Sequence, residues 1–245
     1  MSKKWAIMAT VMLIIACGGN KNAANDTDAV SEVHHAPGDS TLYGLACDGC
    51  NDTIVLLLPH TGDDPDTFNV LEASRAHRVF GHPEIGDKLA LVLNADNPKV
   101  ADAVINMEKL KGEWCYMVKP ILRERAGMNR EIRRHEVNPE LDSILNQLLQ
   151  PREFGFEIKS EHICRPISVG RELLSEDSPV IFPPVKRYRE WHIYNGKLLL
   201  TTSTRDSQGE KKTADTDTAE FVMMFRDSLV LRFSDGERGY YRKAK

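Results

Sequence analysis

Residues 188–201 read YREWHIYNGKLLLT, and this stretch decides the fold. Asn195-Gly196 is the strongest short-range hairpin signal, because both residues of that turn take positive φ. It predicts that a strand over Tyr188–Tyr194 folds back on another over Lys197–Thr201. Working downstream, Phe221–Phe225 and Leu229–Phe233 flank the polar turn Arg226-Asp227-Ser228, and Asp235-Gly236 leads into a last strand, Gly239–Arg242. Upstream lie two more candidates, Phe154–Ile158 and Ile163–Ser168, and Leu110-Lys111-Gly112-Glu113-Trp114 opens the series. Residues 109–245 therefore read as a β-rich unit of about eight strand candidates, most joined by short polar turns.

One long insertion interrupts that series, over 128–150. Asn138 suits a helix N-cap and Pro139 the first helical position. Leu141, Ile144, Leu145 and Leu148 then recur at i, i+3, i+4 and i+7, one apolar face, and Pro151 ends it. Just upstream run Arg123, Arg125, Arg130, Arg133 and Arg134, partly offset by Glu124 and Glu131.

The Gly-x-Trp motif Gly112-Glu113-Trp114 resembles the opening of the first lipocalin strand. Further elements fall in order: Tyr188-Arg189-Glu190-Trp191, Asn195-Gly196, Leu198-Leu199-Leu200, Asp217-Thr218 and Asp227-Ser228-Leu229-Val230-Leu231. Together they are similar to the C-terminal lipocalin-like (calycin) domains of Bacteroidetes lipoproteins, and the resemblance covers roughly residues 110–245. It implies that Trp114 packs under Arg242 from the last strand and closes the barrel floor, a structural cation–π pair worth about 0.5–2 kcal/mol. Fatty-acid-binding relatives of lipocalins also insert helices after the first strand, as a lid over the barrel mouth. Two readings of 128–150 therefore stand: such a lid, with arginines near a ligand carboxylate, or an apolar face that plugs the barrel while the arginines are solvated.

Residues 41–108 form a second, smaller β-rich unit. Thr41–Ala46 and Thr53–Leu58 flank the turn pair Asp48-Gly49, and Lys88–Leu93 follows Gly86-Asp87. Ile54–Leu58 is apolar without alternation, the mark of a strand covered on both faces. Asn97-Pro98 reads as the start of a short turn or helix through Val104. The fold class expected is all-β: this small N-terminal domain, then the barrel with its helical insertion.

The first sixteen residues carry Lys3 and Lys4, then an apolar run from Trp5 to Ala16. As a helix that run spans about 18 Å, short of the ~30 Å hydrocarbon core, so it reads as a signal peptide. Ile14-Ile15-Ala16-Cys17 resembles the bacterial lipobox, which implies lipid attachment at Cys17 and anchoring by two or three acyl chains. Gly18, in place of Asp, favours the outer membrane. Residues 17–40, poor in large apolar side chains, read as a flexible tether. His34-His35 within it lacks further ligands nearby.

With Cys17 acylated, four cysteines remain: Cys47, Cys50, Cys115 and Cys164. An oxidising compartment makes all four disulfide candidates. Cys115 and Cys164 sit on probable neighbouring strands, where a bridge on the barrel wall is feasible. Cys47-Asp48-Gly49-Cys50 has redox-motif spacing, with a structural disulfide, a zinc half-site and a redox pair as readings. Redox chemistry wants a thiolate stabilised at a helix N-terminus, whereas Asp48 and a hairpin turn offer the opposite.

Composition narrows the function. With 245 residues, 41% hydrophobic and 28% charged at net charge −4, the chain is no collagen, coiled coil, disordered tail or polytopic membrane protein. The slight acidity argues against nucleic acid as a partner. No P-loop, nucleophile-elbow or H-E-x-x-H pattern occurs, and the pairs Asp63-Asp64 and Glu176-Asp177 fall in loops. His60, His77 and His82 have no ligand spacing. The expectation is a non-enzymatic, lipid-anchored envelope protein without cofactor or metal, whose barrel binds a small apolar ligand. The alternatives are an accessory component of an envelope complex with a filled barrel, facing periplasm or exterior, and a thiol oxidoreductase using Cys47 and Cys50.

Overall fold

A computed structural model describes residues 37–60, 62–123, 139–205 and 211–244. Two sheets make up most of it. The first is built from β1 (Thr41–Ala46), β2 (Ile54–Pro59), β3 (Asp66–Asn69), β4 (Val79–Phe80), β5 (Lys88–Leu93) and β6 (Ala101–Asn106), in the order β3-β2-β1-β5-β6-β4. Short helices α1 (Leu71–Arg75) and α2 (Met107–Leu110) accompany it. Val55 and Leu57 are buried while Ile54 and Leu56 are only half-buried. Strand β2 thus alternates, and the expected cover on both faces is absent. Residues 101–106 are a strand, not the expected turn or helix, because pairing to β5 over Leu89–Leu93 outweighs the weak strand propensity of its alanines.

The second sheet is an antiparallel, nearly closed barrel. Strand β7 (Gly112–Val118) leads through the two-residue β8 (Ile121–Leu122) and helix α3 (Pro139–Leu148) to β9 (Arg152–Ile158) and β10 (Cys164–Ile167). After the two-residue β11 (Val180–Ile181) come β12 (Tyr188–Tyr194), β13 (Lys197–Arg205), β14 (Lys211–Phe225), β15 (Ser228–Phe233) and β16 (Gly236–Arg242). The eight long strands pair in chain order, β8 and β11 pairing only with each other. The ring closes twice. Strand β16 returns to β7 through Tyr241–Cys115 and Arg242–Trp114. At the other seam the Trp191 N–H donates to the His162 carbonyl at 2.9 Å, beside an Ile163–Glu190 bridge.

Two backbone positions make this possible. Asn195 (φ 47°) and Gly196 (φ 71°) both hold the left-handed conformation that the β12–β13 turn requires. At Gly155, level with Cys115, a Cβ would run into the Trp114 carbonyl oxygen, so only glycine lets β9 approach β7 so closely.

Packing joins the two sheets. One cluster contains Tyr43, Phe80, Ile105 and Leu110 together with Trp114, Trp191, Ile193, Phe221 and Met224 of the barrel. The Tyr43 hydroxyl lies 2.8 Å from both the Ile193 carbonyl and the Asp39 carboxylate, which share its proton, and Phe80 lies 5.3 Å from Phe221. Both units belong to one compact body, Val33–Lys245, and the boundary drawn at 108/109 falls inside α2. The expected tether also ends earlier than residue 40. Asn195 Oδ1 accepts from the Ser40 N–H, its own N–H donates to Asp39, and the Tyr194 hydroxyl donates to the Pro37 carbonyl. Residues 37–40 are pinned to the barrel. The lipid-attachment residue Cys17, the signal peptide 1–16 and His34-His35 lie outside the described residues.

Candidate functional site: the two ends of the barrel

One end is sealed by a helix of a single turn. Asn106, fully buried, caps α2 by accepting from the N–H groups of Glu108 and Lys109, while its amide donates to the His82 carbonyl and to Asp87. So short a helix leaves its carbonyls unpaired, and two barrel side chains take them. Trp114 Nε1 donates to the Leu110 carbonyl at 2.7 Å. Arg242 donates to the carbonyls of Lys109 and Lys111 at 2.6 Å each and to that of Arg226 at 3.1 Å. Its guanidinium sits 4.1 Å above the Trp114 ring, which is 0% exposed. Burial lowers the Arg242 pKa, with Asp227 opposing, yet the group remains a cation. This end is structural and solid.

Among the described residues the other end keeps a cavity. The segments 119–123, 139–151, 168–187 and Ser234-Asp235 meet there. A cavity of about 260 Å³ is lined by Tyr116, Phe156, Tyr188, Tyr240, Phe233 and Arg238, with Lys186 and Asp217 at its rim. The rings pack in tilted and edge-on pairs: Tyr116–Tyr240 at 5.4 Å, Phe156–Tyr240 at 5.1 Å, Phe156–Tyr188 at 6.0 Å. Arg238 lies over both Tyr116 and Phe233, at 5.6 and 5.3 Å, and binds Asp235 at 3.3 Å. The Tyr188 hydroxyl donates to Asp217 at 2.6 Å; burial, then that carboxylate, raises its pKa. Burial likewise raises Tyr240, against the nearby Arg238 cation. All three phenols are therefore neutral hydrogen-bonding groups at physiological pH, not bases.

A second cavity of about 220 Å³ adjoins the first. Phe154, Ile167, Leu174, Phe182 and the segment Pro183–Lys186 form its walls, so Pro184, Val185 and Lys186 border both spaces. Beside it a small core joins Val118, Phe154, Val180 and Phe182, and the end of α3 touches it through Leu148 and Leu149. The helix does sit at the mouth, between β7 and β9. It does not plug the barrel with a whole apolar face, because Ile144 is 53% exposed. Of the basic run, Arg123 donates to the carbonyls of Ser178 and Ser175 at 3.0 and 3.2 Å and so ties down the 175–180 loop. Residues 124–138, with Arg125, Arg130, Arg133 and Arg134, lie outside the described residues.

The cysteine expectations need correction. Cys47, Cys50, Cys115 and Cys164 are all free thiols. Cys164 is level with Ile158 on β9, which is level with Gly112 on β7. Cys115 is thus two strands across and three residues along, about 14 Å away at the usual spacings, against the roughly 4–7 Å between Cα atoms that a disulfide needs. The two also face opposite sides of the wall. Burial pushes the Cys115 thiol up to about 11 and Cys164 up to about 12. Cys47 and Cys50 are half-buried in the β1–β2 hairpin, where Cys50 Sγ points to the Leu56 carbonyl at 3.5 Å. No helix N-terminus supports either sulfur there. Among the described residues no group of three His, Cys, Asp or Glu is placed to hold a metal ion. No described helix is long and apolar enough to cross a membrane.

Sequence reasoning found the sealed end and missed the open one. A signal was present: Asp215, Asp217, Arg238 and Tyr240 occupy the core-facing register of their strands, where polar groups are unexpected. No protein-family model, curated protein or solved structure matches this chain.

Proposed function

We propose that this protein is a lipid-anchored envelope protein of a bacterium, attached at the outer membrane through Cys17, whose lipocalin-like barrel binds a small ligand at its open mouth and carries out no catalysis. The observation that supports this most is the asymmetry of the barrel. One end is closed by Trp114 and Arg242, and the other keeps an aromatic cavity with a few converging polar groups, the usual form of a ligand site. Neutral phenols and a stacked arginine beside an aromatic cavity support a binding surface.

Native mass spectrometry of Val33–Lys245, purified without detergent from a bacterial periplasm, tests this reading. A retained species of a few hundred daltons is expected, lost on substituting Tyr188 and Tyr240 by alanine together. A bare mass after exposure to a lipid and metabolite extract would overturn it. A second reading has its own support, since Trp114, Phe156, Trp191, Leu198 and Leu200 are almost wholly buried and fill the lower barrel. In that case the barrel is a filled scaffold within an envelope complex, and the bare mass is its signature. Thiol oxidoreductase activity has the weakest support; insulin reduction abolished by Cys50→Ser would revive it.

A further inference from the structure

The segment Pro183–Lys186 is a strap laid between two spaces. On one side is the tyrosine-lined cavity, about 260 Å³, and on the other the more apolar one, about 220 Å³. Each falls below the ~300 Å³ at which ligand pockets begin, and joined they fall inside the usual range. Val185 packs against the small core of Val118, Phe154, Val180 and Phe182, and the strap's polar tie is the Lys186 ammonium. Lys186 Nζ lies 2.7 Å from Asp215 and 2.6 Å from Asp217, two carboxylates on successive inward positions of β14. Asp217 is further oriented by the Tyr188 hydroxyl on its other oxygen. Its carboxylate is only 22% exposed, whereas Lys186 is 49% exposed.

We infer that the two spaces are halves of one site, that Lys186 occupies that site's cation position as an internal stand-in, and that the ligand is an amphiphile with an organic ammonium head and an apolar arm. This deepens the ligand-binding reading of the mouth and rests on it. The electrostatic argument selects the class of head group. A ligand that spans both spaces must lift the strap, and lifting it removes the ammonium from the half-buried Asp217. A carboxylate left in that position without a cation is penalised. A ligand carrying its own ammonium restores the pair, and the rings of Tyr188, Tyr240 and Phe233 nearby suit a cation as well. An anionic head beside Asp217 adds repulsion instead; Arg238, two strands away on β16, is already paired with Asp235 and stacked on two rings, and Arg187 lines the second space but not the first. Exposed lysine–carboxylate pairs are weak, so the latch is one that a modest ligand can displace.

A matched pair of probes tests this on the compact body Val33–Lys245, which contains every described core residue. N-(5-aminopentyl)dansylamide and 6-(dansylamino)hexanoic acid share an aromatic body and a five-methylene arm and differ in head-group charge. Fluorescence titration is expected to show the amine binding at least tenfold more tightly than the acid. Lys186→Met, which removes the competing internal cation, should tighten amine binding several-fold. Asp217→Asn, which keeps an acceptor for Tyr188, should bring the amine down to the level of the acid. Equal binding of the two probes, or tighter binding of the acid, overturns the inference while leaving the mouth a ligand site. Weaker amine binding by Lys186→Met overturns the stand-in role. Failure of both probes to bind, together with a bare native mass, overturns the inference and the ligand-binding reading at once.

Discussion

The two ends of this barrel solve the same problem differently. At the sealed end a cation, Arg242, gives its donors to backbone carbonyls and its face to Trp114, so its partners are fixed groups that cannot rearrange. At the open end the cation Lys186 gives its donors to two side chains and comes from a segment without regular structure. The lesson is that a half-buried cation tied to main-chain acceptors welds elements together, whereas a more exposed one tied to carboxylates only latches them.

The hardest test of that contrast is Trp114→Ala. It opens a cavity in the sealed end and removes the donor to Leu110, and should cost about 3–5 kcal/mol in urea denaturation. A loss below 1 kcal/mol would mean that the floor is not the keystone. Arg242→Met comes next: it strands the Lys109 and Lys111 carbonyls and should cost about 2–3 kcal/mol by the same measurement. At the pinned entry to β1, Asp39→Asn should cost about 1 kcal/mol at neutral pH. Burial alone would raise the Asp39 pKa, but hydrogen bonds from the Asn195 and Thr41 N–H groups and from the Thr41 and Tyr43 hydroxyls outweigh it, and the net shift is downward. A carboxylate whose pKa is lower in the folded state stabilises fully above its unfolded value, about 3.9, and ceases to do so as pH falls through the folded value. The gap between wild type and Asp39→Asn should therefore stay constant down to about pH 4 and then close. A gap that widens on acidification would reverse the sign of the argument. The smallest effect belongs to the latch: Lys186→Met should lower the melting temperature only slightly, because exposed pairs contribute little and Asp217, though it loses its cation, keeps the Tyr188 hydroxyl.

Thiol labelling sharpens the picture independently. Cys47 and Cys50 are half-exposed, while Cys115 and Cys164 are buried with raised pKa values. A disulfide-exchange reagent at pH 8 should modify two cysteines quickly and the other two only on unfolding. Rapid reaction of a third would show that the barrel wall opens.

Much of the fold was legible because it rests on local chemistry. Asn195-Gly196 and Asp48-Gly49 form turns for a steric reason that needs no neighbours, and three of the strands they join match within a residue, while β13 runs four residues past its expected end. Residues 101–106 were illegible because Ala101 and Ala103 become strand only by pairing with β5, a tertiary effect. The cysteines show the same divide. Alternation correctly put Cys115 on the face opposite Trp114, but its distance from Cys164 depends on strand offsets that no local pattern encodes. Trp114 and Arg242 were foreseen through a resemblance, whereas the polar mouth required noticing inward-facing aspartates and an arginine without one to guide the eye.

The anchoring of Pro37–Ser40 on the Asn195 turn has a mechanical meaning. That turn belongs to the same end of the barrel as Trp114 and Arg242, so tension in the chain upstream of Pro37 enters the body there. The load meets a clamp of hydrogen bonds from Asn195 and Tyr194 before it reaches β1, which lies between β2 and β5 and resists being peeled away. A pull on Pro37 is thus borne by the closed base of the barrel and not by the strands around its cavity.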